Sequence, residues 1–154
     1  MSSEAGNAAA ANVRDDPFPA PSKTATGTVN GLPTEATSMR FSDTVLVTLS
    51  QEGRLTQWIQ VPVSAPTSAL LGPAVPGDAG VSFSSSHLTP TTLLGAGGEA
   101  RETLGQLYAT EIARQLLLRD LQERRTLLLG LGLVRAEASR EGFFDVMELV
   151  QKVL

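Results

Sequence analysis

The stretch FSDTVLVTLSQEGRLTQWIQV, residues 41–61, carries the clearest folding signal in this chain. Every second residue from 45 to 49 is apolar, whereas the residues between them are mixed, and this is the period of a half-buried β-strand. Glu52-Gly53 then predicts a turn. Residues 55–61 return as a second strand, with Trp58 on the face opposite its aliphatic residues. The stretch therefore predicts two strands joined as a hairpin.

Further strands are predicted on both sides of this stretch. Asn30-Gly31 is typical of the tightest β-hairpins, because both residues tolerate positive φ. The Thr-rich residues 23–29 before it predict an edge strand, and residues 35–40 after it predict its partner. A short strand is predicted at residues 91–94.

The last third of the chain combines helices with one strand. Residues 99 to about 118 place apolar side chains three and four positions apart, which predicts an amphipathic helix. Residues 126–134 predict a buried strand. Ser139 predicts the cap of a second helix that runs to the end of the sequence. Together the elements predict an α+β fold, with an antiparallel sheet of about five or six strands and two helices packed on one face.

The strand at residues 126–134 has two different faces. One face carries two glycines, and the other carries four leucines: Leu127, Leu129, Leu131 and Leu133. Glycine within a strand indicates close approach by another backbone, such as a crossing helix. The leucine face would then need cover from elsewhere, and an uncovered leucine face predicts a protein interface and an obligate dimer.

The composition argues against several classes of function. The 154 residues contain no cysteine and a single histidine, His87, so thiolate chemistry is excluded and neither a metal site nor any other cofactor is predicted. The net charge of −4 is spread among mixed charges, without the basic stripe that nucleic acids require. No run approaches the roughly 18 apolar residues of a membrane-spanning helix. We therefore predict no nucleic-acid partner, no membrane partner and no catalytic residues.

Two segments are predicted to lie outside the packed core. Residues 1–22 are rich in Ala, Ser, Asn, Pro and charge, which predicts a disordered tail. Residues of about 63–87 are rich in Pro, Gly and Ser, which predicts a long flexible surface loop. Residues 23–154 then form one domain. The first residues lack the basic start and apolar run of a secretory signal, and the expected location is the cytoplasm, with the nucleus as a second location.

The Gly-rich turn at residues 95–100 is the sharpest alternative signal. Its sequence GAGGEA fits G-x-G-x-x-A, follows a short strand and opens a helix, as in dinucleotide-binding turns. Glu99 would put a carboxylate where a phosphate should lie, and the upstream strands are not arranged as βαβ units. A small nucleotide-binding enzyme therefore remains an alternative, and the simpler reading is a flexible loop.

Two features are candidates for contact with a partner protein. Trp58 is the only tryptophan and has Gln57 and Gln60 as neighbours, so it is either a core residue or part of a surface that a partner covers. The charged cluster Glu123, Arg124 and Arg125 is expected to connect a helix to a strand, and it is the charged cluster most suited to a partner contact.

The order of motifs in this chain resembles that of the proteasome assembly chaperone 3 family. The chain is similar to a fungal-type member of that family with an extended loop and an N-terminal tail. The resemblance covers residues 23–154 apart from the long loop, and no single motif in it is diagnostic. The residues that carry the resemblance are Lys23; Gly31 with Pro33-Thr34; Phe41-Ser42 with Val45-Leu46-Val47; Gln51 and Gly53; and Thr92 with Leu93-Leu94-Gly95. After them come a helix, the strand at 127–133 and a closing helix, in the same order as in the family.

The resemblance implies a non-catalytic chaperone that promotes assembly of the α-ring of the 20S proteasome. Its implied partners are a related small chaperone, similar to proteasome assembly chaperone 4, and α-type subunits of the 20S core particle. We expect the leucine face to contact the second chaperone and residues 123–125 to contact the ring. A generic protein-interaction adaptor, working in another assembly, remains a further alternative.

Overall fold

A computed structural model of the chain describes residues 20–63, 88–95, 97–135 and 139–154. Apart from residues 20–22 and Val63, the predicted tail and the predicted flexible loop lie outside the described residues. Both therefore stay predictions.

Six strands and two helices make up the described fold. In chain order they are β1 (Ser22–Val29), β2 (Leu32–Arg40), β3 (Thr44–Gln51), β4 (Gln57–Pro62), β5 (Thr91–Leu94), α1 (Glu99–Arg119), β6 (Thr126–Gly132) and α2 (Arg140–Val153). The predicted α+β class is confirmed, and each predicted element is present within a few residues of its expected bounds. Within the described residues, no helix combines the length and the hydropathy needed to cross a membrane.

The six strands form one sheet in the order β1-β2-β3-β6-β4-β5. The sheet is mostly antiparallel, but β3 and β6 run parallel. The predicted hairpin between β3 and β4 is wrong, because β6 lies between them and pairs with both. Only the isolated bridge between Gln51 and Arg54 joins the two ends of the tight turn.

Both helices pack against one face of the sheet, and this face carries the core. Its strand residues include Val47 and Leu49 of β3 and Ile59 of β4, all fully buried. The predicted uncovered leucine face is wrong, because the helices lie over it. The exposed fractions are 0%, 0%, 3% and 9% for Leu127, Leu129, Leu131 and Leu133, respectively. These leucines fill the core of this chain, so their apolar character does not by itself require a second protein.

The glycine face of β6 is approached by the β3–β4 connection and by a side chain, and not by a helix. A methyl group at Gly132 would overlap the backbone carbonyl of Arg54, because the β3–β4 connection crosses the end of β6 there. The ring of Trp58 lies over Gly130, and a methyl group at Gly130 would be 3.0 Å from the nearest ring atom. Close approach explains both glycines, but it comes from the β3–β4 connection and from a side chain.

The end of α2 is held against the first two strands by polar contacts. Ser38 Oγ donates to the carbonyl of Val153 at 2.6 Å, and Arg40 donates to the oxygen of Leu154 at 2.6 Å. Lys23 Nζ donates to the same oxygen at 3.3 Å. Since helix carboxyl ends leave carbonyls without helical partners, these side chains satisfy the end of α2 where it is packed.

The start of α2 is capped as predicted. Ser139 Oγ accepts from the backbone N–H of Gly142 at 3.0 Å and donates to Asn30 Oδ1 of the β1–β2 turn at 2.9 Å. Asn30 and Gly31 have φ values of 51° and 77°, which a two-residue hairpin turn of this type requires. The cap therefore joins α2 to the turn as well as starting the helix.

We predict that Ser139→Ala lowers the free energy of unfolding by about 1 kcal/mol, because the first turn of α2 loses its side-chain acceptor. Urea unfolding followed by circular dichroism measures this change. Ser139→Thr keeps the hydroxyl and is the matched control, expected to cost less than half as much. An equal cost for the two substitutions would contradict a capping role.

Candidate interaction surface

The sheet has a second face, opposite the helices, that no described element covers. We call it the open face. Alternate residues of all six strands point to it, and the strand register places them in rows across the sheet. The row at its centre contains Met39, Leu46, Leu128 and Gln60. The adjacent row contains Thr37, Thr48, Gly130, Trp58 and Leu94.

The apolar part of the open face is continuous across β2, β3, β6, β4 and β5. Met39 and Leu94 are 36% and 67% exposed, and Leu46, Leu128 and Trp58 are half-buried between their neighbours. Trp58 lies in this patch, with its ring against Gly130, so it belongs to the surface and not to the core under the helices. Contiguous exposed apolar surface of this kind marks an interaction site more often than single exposed residues do.

The rest of the open face is polar but almost uncharged. On β1 and β2 it consists mainly of hydroxyl side chains, such as the pair Thr24 and Thr37, whose oxygens lie 3.1 Å apart. Among the described strands, Glu35 is the one charged residue that points to this face. Depletion of charge at the centre and polar residues at the rim are the composition expected of a protein interface.

A second candidate surface lies at one end of the sheet, where α1 leads into the central strand β6. We call it the basic corner, and its residues are Phe41, Leu121, Arg124 and Arg125. Phe41 and Leu121 are 44% and 41% exposed. Arg125 donates to the carbonyl of Phe41 at 3.4 Å, and Arg124 donates to that of Leu121 at 3.4 Å, so the two arginines join the apolar residues into one patch.

Glu123 fixes the geometry of the basic corner from inside. Its carboxylate accepts from Arg125 Nη2 at 2.6 Å and Nε at 2.8 Å, and from the backbone N–H groups of Arg124 and Arg125 at 3.0 Å each. The hydrogen bonds from the Arg125 guanidinium are the main cause that lowers the pKa of Glu123 to about 2. Its side chain is only 5% exposed. Glu123 therefore holds the guanidinium of Arg125 and the backbone at Arg124 in place, and its own carboxylate is buried.

The predicted contact residues thus fall into three separate places. Trp58 lies on the open face, and Arg124 and Arg125 lie at the basic corner with Glu123 beneath them. The four remaining residues lie in the core: Leu127, Leu129, Leu131 and Leu133. The prediction missed Met39, Leu46, Leu94 and Leu128. Leu46 and Leu128 could have been found, because each is an apolar residue on the less apolar face of its strand.

The Gly-rich turn lies beside a shallow cleft of about 290 Å³ at the opposite end of the sheet. Arg54 and Arg101 border this cleft, and Arg101 donates to the carbonyl of Leu133 at 3.1 Å. The turn residue Gly95 is packed against the backbone of Thr56, since a methyl group there would overlap the Thr56 carbonyl. This contact and a φ of 75° explain the glycine without a ligand. In the described parts of the chain, acidic and histidine side chains nowhere gather into a group able to hold a metal ion.

Comparison with known proteins shows that the fold of this chain is similar to that of a solved structure. The sequence matches no protein-family model and no curated protein. A solved structure with a similar fold is a chain of a chaperone complex for yeast 20S proteasome assembly. Its TM-score is 0.60 at 15% sequence identity, and the match covers 84% of this chain and 96% of that chain. The chain thus has the α+β architecture found in a component of that complex.

Proposed function

We propose that this protein is a non-catalytic chaperone that promotes assembly of the 20S proteasome. The observation that carries the proposal is the uncovered apolar face of the sheet, on a fold similar to that of a chain from a proteasome assembly chaperone complex. The sequence motifs that resemble the proteasome assembly chaperone 3 family point the same way. Action in the cytoplasm and nucleus stays a prediction.

The open face is the proposed contact with a second, structurally related chaperone, similar to proteasome assembly chaperone 4. Two sheets that pack face to face interdigitate side chains across a layer about 10 Å thick. The apolar row of Met39, Leu46 and Leu128, next to Trp58, would form the centre of such a layer. The hydroxyl side chains of β1 and β2 would form its polar rim, where hydrogen bonds and water are tolerated.

The basic corner is the proposed contact with α-type subunits of the proteasome ring. Arg124 and Arg125 present guanidinium groups beside exposed apolar residues, which suits an acidic protein surface. Exposed ion pairs contribute little and are screened by salt, so this contact would release more easily than the open face. Charge reversal at Arg124, which leaves the ion pair between Glu123 and Arg125 in place, should weaken α-subunit binding and leave pairing with the second chaperone intact. Unchanged α-subunit binding would contradict this part of the proposal.

Two other functions predict different results. A small nucleotide-binding enzyme would use the cleft beside the Gly-rich turn, and a specific ligand would raise the unfolding temperature by mass action. We expect no such rise with dinucleotides or ATP, because Glu99 and Glu102 occupy the first turn of α1. A generic adaptor would use the same open face, and only the identity of its partner distinguishes it.

We predict that Leu128→Asp lowers recovery of the second chaperone at least about tenfold, because a carboxylate would be buried without a partner at the interface centre. The measurement is affinity purification of the tagged variant at the same expression level as the wild-type protein. Leu107→Asp is the matched control, since Leu107 is 51% exposed on α1, on the other side of the sheet. Equal recovery with the two variants would contradict the open-face contact.

A further inference from the structure

The two edges of the sheet are unlike each other. β5, at one edge, has four residues, and its pairing with β4 contains an irregularity in register. β1, at the other edge, has eight residues that pair with β2 in continuous register without a bulge. Short strands and bulges are the means by which proteins prevent strand addition at sheet edges. The β5 edge is protected in this way, and the β1 edge is not.

The outward backbone groups of β1 belong to four residues. The carbonyl of Pro21 accepts from the N–H of Arg40, so the backbone groups of odd-numbered residues face β2. In an antiparallel strand the direction alternates. The N–H and C=O groups that point away from the sheet are therefore those of Ser22, Thr24, Thr26 and Thr28, and all four residues are exposed.

The side chains of β1 do not guard this edge. Its one charged residue is Lys23, and the ammonium of Lys23 donates to the oxygen of Leu154 under the sheet. The strand contains no proline, and its outward residues are serine and threonine, which favour extended structure or tolerate it. No described residue bonds to the outward backbone groups of this eight-residue strand. A strand with such groups and no guarding charge is a template for another strand.

We infer that the β1 edge binds an extended peptide segment of a partner protein as a seventh strand, antiparallel to β1. This inference goes beyond the open face and the basic corner. The segment would contribute main-chain hydrogen bonds to the four outward residues, so it needs N–H groups at every second position and no proline there.

The packing of α2 decides between a peptide segment and a second copy of this chain. α2 packs chiefly against β1, and Leu149 lies directly under Gly27, 3.2 Å from where a methyl group would be. Two copies joined through β1 would place their strands about 4.8 Å apart. Because α2 packs chiefly against β1, the α2 helices of the two copies would meet on the same face of the joined sheet and compete for the space beside the shared edge. A segment without its own helix avoids this clash.

Amide hydrogen exchange by NMR tests the inference. The probe is an acetylated and amidated peptide with the sequence of β1, SKTATGTV, which has no proline and can pair antiparallel with all four outward residues. We expect exchange to slow about tenfold or more at Ser22, Thr24, Thr26 and Thr28. Exchange at Lys23, Ala25 and Gly27 should not change, because these amides already bond to β2. This alternation is specific to strand addition.

The variant Thr26→Pro removes one outward N–H group without breaking a bond to β2, and proline is tolerated in this position of an edge strand. It should fold and lose the peptide-dependent protection, whereas Thr26→Val, the matched control, should keep it. If Thr26→Pro does not fold, the alternation of slowed and unchanged amide exchange along β1 of the wild-type protein tests the inference by itself.

Three results would overturn the inference. One is no change in exchange at the highest soluble peptide concentration. Another is a response at Trp58 and Leu128 without protection of the outward amides, which would place the peptide on the open face. The third is protection of the outward amides that appears without peptide as the protein concentration rises, which would make a second copy the occupant.

Discussion

Replacing Gly132 by alanine is expected to lower the free energy of unfolding by about 3 kcal/mol. The added methyl group would overlap the backbone carbonyl of Arg54, where the β3–β4 connection crosses the end of β6. Backbone cannot move aside as a side chain can, and the N–H of Thr56 also bonds to the carbonyl of Leu131 at this place. The connection would have to lift from β6 and lose that bond. Urea unfolding measures the change.

Gly130→Ala is the matched control, because Gly130 lies two residues earlier on the same face of β6. Its new methyl group would meet the ring of Trp58 at 3.0 Å and not a backbone. The ring can shift, and alanine is better than glycine in a strand by roughly 0.5–1 kcal/mol. We expect a net change of less than about 1 kcal/mol for Gly130→Ala. Equal losses at the two positions would contradict this account of the crossing.

Replacing Glu123 by glutamine is expected to lower the free energy of unfolding by up to about 3 kcal/mol at pH 7. The carboxylate is almost fully buried, and it accepts four hydrogen bonds from Arg124 and Arg125. Its pKa falls from 4.5 to about 2 in the folded protein. The neutral amide cannot form the ion pair with Arg125, so the connection between α1 and β6 loses its main polar support.

The pH dependence of this difference has a definite sign. A carboxyl group whose pKa is lower in the folded state stabilises the protein above its unfolded pKa. The stabilisation by Glu123 is therefore complete above about pH 4.5 and is lost as the pH falls towards 2. The difference in the free energy of unfolding between the wild-type protein and Glu123→Gln should shrink over this interval.

Glu148→Gln is the control, because the side chain of Glu148 is 73% exposed and pairs only with Lys152 at 3.3 Å. The effect of Glu148→Gln should stay within about 0.5 kcal/mol. A pH-independent difference for Glu123→Gln would contradict the ion-pair account.

Local patterns in the sequence predicted the elements well, because they depend on neighbouring residues. Ser139 identified the start of α2, and Asn30-Gly31 identified the β1–β2 turn. The pairing of β3 with β4 was wrong because the turn at Glu52-Gly53 reports only on nearby residues. β6 is apolar on both sides of its backbone and is stabilised by a central position, which a local turn signal cannot reveal.

The candidate interface was predicted only in part, for a related reason. Leu127, Leu129, Leu131 and Leu133 were correctly expected to form one face. The sequence does not say which face of the sheet the helices cover. The structure puts these four leucines under the helices and leaves Leu46 and Leu128 on the open face. Trp58 was left undecided between the core and a surface that a partner covers, since its neighbours Gln57 and Gln60 are polar. The cross-strand rows that join it to Leu128 and Leu94 depend on long-range register.

We propose that the open face and the basic corner serve assembly of the 20S proteasome. The most direct measurement is affinity purification of the tagged wild-type protein from its own cells at low salt, with identification of the bound proteins by mass spectrometry. We expect recovery of a second small chaperone together with α-type proteasome subunits, and without mature β-type subunits. Recovery of neither the chaperone nor the α-type subunits would contradict it.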